Sequence, residues 1–453
     1  MTDPVDRPVA LTVAGSDSGG GAGIQADLKT MEALGTFGTS AVTSVTAQNT
    51  RGVDAIEDLS TGVVDAQVRA VADDFAVGAA KTGMLSSAAI VETVADCLAD
   101  YEFPLVVDPV MVAQSGDRLL AERAEAALRE DLLPRAALAT PNLPEAEVLA
   151  GRSVGSVDDA RAAAETIAEG GDGPDAVLVT GGHLGGDRLV DVLYADGETR
   201  TFEKPRVDTD DTHGSGCTLS AAVAARLAAG DDLPAAVDRA ETLVDRAIRY
   251  ALDVGGGAGP VHHLAALRND AARYDATEAV DGVVRTLRDR DASALVPEVG
   301  TNVVVATPYA TGTDEVAAVE GRLHRTSDGV RAAGGVRLGA SSHVARLLLA
   351  VRTYDPRMRA AANVRLDDRV AAAATDRLDA VEVDRTAEPD ADPTEAREGG
   401  TMAWTVERAM AGREAVPDAI YDRGAVGKEA MCRLFADSPE RLVDLVGTLD
   451  DAR

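Results

Sequence analysis

The order of apolar and polar residues predicts strands and helices that alternate along the first half of the chain. Short apolar runs have the length of buried strands, and they lie at residues 9–15, 40–46, 105–108 and 176–180. Segments with helical spacing of apolar residues separate them, at residues 25–34, 87–99, 118–133 and 217–229. This alternation predicts an α/β fold with a mostly parallel central sheet covered on both faces.

A glycine-rich break at residues 253–263 interrupts this pattern. Helical sequence follows it, then an apolar strand at 301–308, and residues 336–355 again have the pattern strand, turn, helix. A stretch rich in proline and acidic residues, 388–400, is interpreted as a loop. We therefore expect two domains, residues 1–268 and a smaller α/β domain at residues 269–453.

Composition and charge exclude several classes of protein. The chain has 76 acidic against 44 basic residues, a formal net charge of −32. The acidic residues are dispersed, and the lysines are only Lys29, Lys81, Lys204 and Lys428. Such a balance indicates adaptation to a salt-rich cytoplasm, with an ordinary acidic protein as the alternative. Nucleic acid is not an expected partner because basic stripes are lacking, and no apolar run is long enough to span a membrane. Three well-separated cysteines argue against a disulfide framework.

Three glycine-rich turns are candidate ligand sites, at residues 15–23, 181–186 and 213–220. None has the spacing of a Walker loop or of the dinucleotide fingerprint. In the third, Gly214 and Gly216 flank Ser215 directly before a helix. Backbone N–H groups at such a helix start can converge on an anion, and the helix dipole adds to the attraction. A tight structural turn is the alternative for each of the three.

The first domain resembles the hydroxymethylpyrimidine/phosphomethylpyrimidine kinases of the ribokinase-like superfamily. The resemblance covers residues 8–265 and is carried by ordered motifs, among them AGSDSGGGAGIQADLKT, TAQNTRG, KTGML, VVDPVM, TPNLPEAE, THGSGCTLS and GPVHH. It implies a three-layer fold, ATP as the phosphate donor and Mg²⁺ as the metal. It also implies a homodimer, because dimers are common among such kinases.

The resemblance also implies roles for individual residues. Asp27 and Gln48 would bind the polar edge of the pyrimidine, and its ring would lie against Met84, Val110 and Met111. The anion hole for the transferred phosphoryl group would be Gly214, Ser215, Gly216 and Cys217. Asn142 and Glu145 would organise Mg²⁺ and the ATP phosphates, with Asp108 as a further metal ligand.

Cys217 is the predicted catalytic base of the kinase. A thiol at a helix N-terminus is expected to have a lowered pKa, so its thiolate would accept the proton of the substrate hydroxymethyl group. A small buried cysteine that packs at a helix start is the alternative. Thr180 stands where the family commonly carries a lysine, which removes one expected phosphate contact. His183 and His213 are interpreted as structural.

The second domain has fewer motifs of its own. Gly339 to Ser342 forms a small-residue turn before a helix, where Ser341 or Ser342 can cap the helix or help to bind a phosphate. His343 and Arg346 follow on one side of that helix. Further candidate cationic groups are Arg322, Arg423 and Lys428.

These segments, with EVGTNVVVATP, AANVRL, GTMAW and YDRGAVGKE, resemble the archaeal-type thiamine-phosphate synthase domain. The implied reaction joins hydroxymethylpyrimidine diphosphate to thiazole phosphate and releases pyrophosphate. Arg322 and His343 would be its essential pair, Arg346, Arg423 and Lys428 would bind anions, and Ser341 and Ser342 would bind the thiazole phosphate. Two alternatives stay open: a kinase for a pyridoxal-like substrate, and a second domain that senses ligands without catalysis.

Overall fold

A computed structural model of the protein describes residues 6–111, 122–181, 188–384, 400–424 and 429–452. The chain forms two compact units, Met1–Leu267 and Arg268–Arg453. Within the described ranges, no helix combines the length and the apolar character needed to cross a membrane.

The first unit is built on an eight-stranded sheet with the strand order β10-β9-β8-β7-β6-β5-β1-β2. Its strands are β1 (Val9–Ala14), β2 (Phe37–Val42), β5 (Val77–Thr82), β6 (Leu105–Val107), β7 (Leu138–Ala139), β8 (Ala176–Val179), β9 (Arg188–Ala195) and β10 (Glu198–Pro205). The six strands from β2 to β8 pair in parallel, and β9 and β10 add an antiparallel edge. The predicted mostly parallel sheet is therefore confirmed.

Helices cover both faces of this sheet, and their apolar sides form its cores. They are α1 (Gly23–Ala33), α2 (Thr61–Ala72), α3 (Ala88–Leu98), α4 (Glu122–Ala127), α5 (Leu143–Ala150), α6 (Val157–Glu169), α7 (Ser215–Ala228) and α8 (Leu233–Arg249). A π-helical turn, Leu128–Leu132, continues α4, so the described part of the predicted helix 118–133 is less regular than expected. The helix predicted at 217–229 is confirmed as α7, which is packed against α8 and α1.

The predicted strand at 40–46 is wrong, because the chain changes sheets there. β2 ends at Val42, and β3 (Ser44–Asn49) pairs with β4 (Gly52–Asp58) in a separate two-stranded sheet. Thr43 makes the break: its N–H donates to Ala14 and its hydroxyl donates to the Met84 carbonyl. A continuous apolar run gives no sign of such a break.

The second unit contains a seven-stranded sheet with the order β15-β12-β11-β16-β19-β18-β17. Its strands are β11 (Val303–Ala306), β12 (Val316–Val319), β15 (Val336–Leu338), β16 (Ala360–Arg365), β17 (Ala380–Glu382), β18 (Ala419–Asp422) and β19 (Met431–Ala436); β13 (Leu323–Thr326) and β14 (Gly329–Ala332) form a hairpin. All pairs in the large sheet are antiparallel except β17 with β18. The second unit is thus an α/β structure with a mostly antiparallel sheet, whereas the sheet of the first unit is mostly parallel.

Helices cover both faces of this second sheet, and the sheet separates two apolar cores. They are α10 (Arg273–Asp289), α11 (His343–Arg352), α12 (Asp368–Arg377), α13 (Gly400–Met410) and α14 (Pro439–Asp450), and α9 (Ala265–Ala271) precedes them at the division of the chain. Most of the predicted loop 388–400 lies outside the described residues.

Candidate active sites

A cavity of about 760 Å³ opens at the carboxyl ends of the parallel strands in the first unit. Its lining includes the residues that follow β1, β5, β6, β7 and β8, which are Gly15, Gly83, Asp108, Thr140 and Thr180. Ligands of open α/β sheets bind at this edge, since loops from several strands meet there. The cavity is therefore the candidate kinase site.

Most of the residues predicted for the kinase line this cavity together. They are Gln48, Met84, Asp108, Val110, Met111, Asn142, Glu145, Gly214, Ser215, Gly216 and Cys217. The start of α7 and the Asn142–Glu145 segment, which are far apart in sequence, therefore share one cavity.

Asp27 differs from its predicted placement, because its carboxylate does not line the cavity. The side chain is fully buried beside Lys81, whose Nζ lies 2.9 and 3.0 Å from the two carboxylate oxygens. The Thr12 hydroxyl donates to the same carboxylate at 2.6 Å. Lys81 instead lines the cavity, so Asp27 holds a lysine in place and does not itself face a ligand.

Lys81 was not predicted as a site residue. It is fully buried, and although burial opposes its charge, the neighbouring Asp27 raises the pKa of the ammonium above its ordinary value. Its charge also acts on Cys217 and Asp108. A lysine inside the apolar segment 77–85, in a chain with four lysines, was the signal in the sequence.

The lowered pKa predicted for Cys217 is wrong. Burial raises the pKa of its thiol to about 12; Lys81 opposes this shift, and the nearby carboxylates of Asp27 and Asp108 add to it. The Gly23 backbone hydrogen bond favours the thiolate only slightly. At neutral pH the side chain is therefore a thiol, and the helix dipole does not overcome desolvation.

The start of α7 is shaped by a close backbone approach. Gly214 has φ +81°, and a Cβ there would lie 1.9 Å from the Gly21 carbonyl oxygen, so glycine is required. The Ser215 N–H donates to Thr212, which removes it from the predicted anion hole. Gly216 and Cys217 lie in the first helical turn, where N–H groups lack intrahelical acceptors. These two amides are therefore the remaining candidates for the predicted anion hole.

Glu145 and Asp108 form a pair of buried carboxyl groups in the cavity. Burial, helped by the charge of Asp108, raises the pKa of Glu145 to about 8, and burial raises the pKa of Asp108 to about 6. Glu145 also completes a capping box with Asn142 and accepts a hydrogen bond from the Met111 N–H. Asn142 thus uses its side-chain oxygen to cap α5.

Two adjacent carboxyl groups whose ionisation is disfavoured suit a divalent cation. Mg²⁺ takes oxygen ligands and is commonly held by one or two carboxylates together with phosphate oxygens. Among the described residues, no group of three or more His, Cys, Asp or Glu side chains is arranged to hold a metal. The donor set therefore fits a metal that is completed by a phosphate ligand.

The far end of the cavity contains a buried charge cluster. Lys204 forms ion pairs with Asp191, at 3.2 Å, and with Glu241. Burial, with the charge of Asp191, raises the pKa of Glu241 to about 8. Thr180 lines the same end, next to Gly181, whose N–H donates to Asp191 at 2.5 Å. Lys204 thus supplies a positive charge near Thr180, which stands where the family commonly carries a lysine.

The backbone N–H groups of the glycine-rich turn 15–23 bind a carboxylate of the turn itself. The Asp17 carboxylate accepts the N–H groups of Gly19, Gly21 and Ala22 at 2.8 to 2.9 Å. His213 adds a contact at 3.2 Å. Although burial opposes ionisation, these bonds lower the pKa of Asp17 below its ordinary value. His213 therefore has the structural role predicted for it, while His183 lies outside the described residues.

The predicted residues of the second unit separate into two groups. Arg322 follows β12, close to the residues before β11, and its Nη1 donates to Val299 at 2.7 Å. Arg423 follows β18 at the same end of the sheet, because Asp422 pairs with Met431 and Met431 with Arg365 at the end of β16. Arg423 is paired with Glu382 at 2.7 Å. Lys428 lies outside the described residues.

His343 lies at the opposite end of the sheet from Arg322. It begins α11 after β15, whose last residue, Leu338, pairs with Ala317 near the start of β12. The length of β12 alone separates the ends by about 10 Å. The described structure therefore does not bring the predicted pair Arg322 and His343 together within one unit. Ser341, Ser342 and Arg346 lie at the His343 end.

The serines before α11 do not cap it as one alternative suggested. Ser342 is at the N-cap position without a side-chain capping bond, and its hydroxyl lies 3.1 Å from His343 Nδ1. Ser341 is buried. The Ser342 hydroxyl thus lies beside a histidine at a helix start, which is compatible with phosphate binding.

Comparisons with known proteins cover both units. The family model for phosphomethylpyrimidine kinase matches residues 17–262, and the model for thiamine-phosphate synthase ThiN matches residues 279–448. A hydroxymethylpyrimidine/phosphomethylpyrimidine kinase of Streptomyces coelicolor is 53% identical over 262 residues, which are 58% of this chain and 96% of that protein. The bifunctional thiamine biosynthesis protein ThiED of Geobacter sulfurreducens is 46% identical over 264 residues, 58% of this chain and 54% of that protein.

Solved structures resemble the first unit. Pyridoxal kinase of Bacillus subtilis in complex with ADP has a TM-score of 0.54 and 38% identity, and the match covers 58% of this chain and 99% of that one. Pyridoxal kinase of Staphylococcus aureus in complex with pyridoxal has a TM-score of 0.53 and 33% identity, with 57% and 94% covered. These likenesses confirm the predicted ribokinase-like fold. The chain belongs to the phosphomethylpyrimidine kinase family, and its C-terminal part carries a thiamine-phosphate synthase domain of the ThiN type.

Proposed function

We propose that the protein is a bifunctional enzyme of thiamine biosynthesis. Its first unit phosphorylates hydroxymethylpyrimidine and then its monophosphate with ATP. Its second unit joins the resulting diphosphate to thiazole phosphate, forms thiamine phosphate and releases pyrophosphate. The observation that carries the kinase half is the single cavity that contains both the start of α7 and the Asn142–Glu145 segment.

The kinase residues act mainly by position and charge. Met84, Val110 and Met111 line an apolar part of the cavity that suits the pyrimidine ring, and Gln48 supplies an amide for its polar edge. The amides of Gly216 and Cys217 would stabilise the charge on the transferred phosphoryl group. Transfer of this kind is largely dissociative, so the hydroxyl proton leaves late and a preformed thiolate is not required. Cys217 would accept that proton late in the step as a thiolate, after its own thiol proton has left to solvent, and the charge of Lys81 would favour this thiolate.

Glu145 and Asp108 would hold Mg²⁺ together with the ATP phosphates. The metal would neutralise phosphate charge in a protein with a net charge of −32. The raised pKa values of both carboxyl groups support this role, because a cation restores their ionised forms. Asn142 would act by fixing Glu145 through the capping box.

In the synthase half, cations would stabilise the departing diphosphate. Arg322 is the residue on which this proposal chiefly depends, with Arg423 and Lys428 as further anion binders. Ser341, Ser342, His343 and Arg346 would form a second subsite for thiazole phosphate. We further propose a homodimer in the cytoplasm. Adaptation to high salt stays a prediction from composition.

The kinase proposal is tested by offering the purified chain ATP, Mg²⁺ and either hydroxymethylpyrimidine or pyridoxal. Pyridoxal is included because solved pyridoxal kinases share this fold at 38% and 33% identity. Turnover of the pyrimidine should exceed that of pyridoxal. A clear preference for pyridoxal would assign the first unit to the other substrate.

The synthase proposal is tested by adding hydroxymethylpyrimidine diphosphate and thiazole phosphate to the same preparation. Thiamine phosphate and pyrophosphate should appear in equal amounts. Binding of either compound without product would favour a ligand-sensing domain.

A further inference from the structure

Arg322 has a strained backbone in the turn after β12, and its side chain contacts a separate segment, residues 298–302. Its φ is +74°, and the two other described non-glycine residues with positive φ are both aspartates, which tolerate this conformation better. Strained residues persist where surrounding contacts fix them, and they occur often at functional sites. The contacts that fix Arg322 therefore bear on the synthase reaction.

Residues 298–302 lie next to Arg322, and hydrogen bonds to their backbone come from several other residues. The Arg322 Nη1 donates to the Val299 carbonyl at 2.7 Å. Thr301 and Leu323 exchange two backbone hydrogen bonds, at 2.9 and 2.7 Å, next to Arg322. Gly300 has φ +84°, and a Cβ there would lie 2.9 Å from the Leu323 carbonyl oxygen. We call residues 298–302 the support turn.

Two side chains hold the support turn, one from β16 and one from the residues just before β19. The Glu429 carboxylate accepts the N–H groups of Glu298, at 3.0 Å, and of Val299, at 3.3 Å. The Asn363 amide accepts from the Asn302 N–H at 2.7 Å and donates to the Gly300 carbonyl at 3.0 Å. Each side chain thus satisfies two backbone groups of the turn, Glu429 at its first residues and Asn363 at Gly300 and Asn302.

Glu429 also connects two segments that the synthase proposal uses. It directly follows Lys428 in sequence and precedes β19, and Arg423 lies at the same end of the sheet. The Arg322 guanidinium has one hydrogen bond to the described residues, so most of its five N–H donors remain for a ligand. Among the described residues, the Glu429 carboxylate binds backbone amides, so it fixes this arrangement without pairing with the arginine.

We propose that Glu429 and Asn363 are positioning residues of the synthase: they fix the support turn and thereby aim Arg322 at the phosphate-bearing substrate. This inference rests on the proposed synthase function. Neither residue touches substrate, and each acts through Arg322. Misplacing a reacting or binding group by about 1 Å can cost about 100-fold in rate, so the effect should be large.

A double-mutant cycle on the full chain tests the inference. Glu429→Ala should lower kcat/KM of thiamine phosphate formation by about 10- to 100-fold, mainly by raising KM for the diphosphate substrate. Arg322→Ala should lower it by a similar or larger factor. Because Glu429 acts through Arg322, the double variant should match Arg322→Ala within about twofold. Losses that multiply would overturn the inference.

The same preparations contain their own controls. Kinase turnover should stay within about twofold of the parent, because the first unit forms a separate compact unit. Glu440→Gln, an exposed acid on α14, is the matched charge control and should leave synthase turnover unchanged. If Glu429→Ala does not fold, Asn363→Asp keeps the acceptor for Asn302 and loses the donor to Gly300, and it should give the same pattern.

The outcomes separate the inference from the function on which it rests. A parent chain that forms no thiamine phosphate refutes the synthase proposal and the inference with it. An active parent, an impaired Arg322→Ala and unimpaired Glu429→Ala and Asn363→Asp variants refute only the inference. Partial recovery in Glu429→Gln, which keeps one acceptor oxygen, would support it.

Discussion

Replacing Lys81 with methionine tests the buried ion pair behind the kinase cavity. Lys81 and Asp27 are both fully buried, and their side chains lie 2.9 Å apart. Methionine fills most of the lysine volume but leaves the Asp27 carboxylate with the Thr12 hydroxyl as its remaining partner. Breaking a buried pair in this way typically costs about 3–5 kcal/mol, because one charge stays desolvated without its partner.

This cost can be converted into a melting shift for the first unit. The unit spans Met1–Leu267, and an unfolding entropy of about 2.1 cal/mol/K per residue gives about 0.56 kcal/mol/K in total. The expected decrease in Tm is therefore about 5–9 °C. Differential scanning calorimetry measures it, with the transition of the second unit as an internal reference.

Two further variants make this prediction specific. Lys29→Met removes an exposed lysine and should cost less than about 1 kcal/mol. Adding Asp27→Leu to Lys81→Met removes the stranded carboxylate and should recover at least half of the lost stability, since apolar replacements of buried pairs are often neutral. A Tm for Lys81→Met within about 1 °C of the parent, or no recovery in the double variant, would refute the reasoning.

Three other predictions concern the first unit. Cys217→Ser should reduce kinase turnover by about 100-fold or more while ATP binding and synthase activity stay intact, and unimpaired turnover would exclude the base role. Glu145→Gln should raise the Mg²⁺ concentration for half-maximal kinase activity by about tenfold or more; an unchanged requirement would remove Glu145 from the metal site. Burial lowers the pKa of His263 from 6.5 to about 4, so native protein resists its protonation. The unfolding free energy should therefore keep its full value above pH 6.5 and fall by up to about 3 kcal/mol as the pH decreases toward 4. Chemical denaturation at several pH values should find a smaller loss in His263→Gln than in the parent.

The kinase site was largely predictable because its chemistry lies in turns that follow strands. Gly214 at the N-cap and Gly216 and Cys217 in the first turn of α7 form a further part of this site, and local sequence gives both the glycines and the helix. The properties that depend on burial were not predictable. Burial among residues of other elements raises the Cys217 pKa, the charges of Asp27 and Asp108 add to this rise, and Lys81 opposes it.

The second unit shows a different limit of sequence interpretation. The resemblance to the synthase domain suggested that Arg322 and His343 act as a pair, but strand pairing puts them at opposite ends of β12 and β15. Antiparallel register decides this, and register depends on which strands become neighbours across the sheet. The contacts of Glu429 and Asn363 with the support turn span more than sixty positions for the same reason, since their partners are set by the sheet order.

The Asp17 carboxylate gives the turn 15–23 an unexpected chemical property. A tethered carboxylate already satisfies three of its amides, and a free anion would have to displace a competitor of very high local concentration. Chloride, sulfate or free phosphate should therefore leave this turn unchanged, even at concentrations that saturate ordinary amide-lined sites. Inhibition of the kinase by inorganic anions would then report on other anion sites of the cavity, such as the start of α7, and not on this turn.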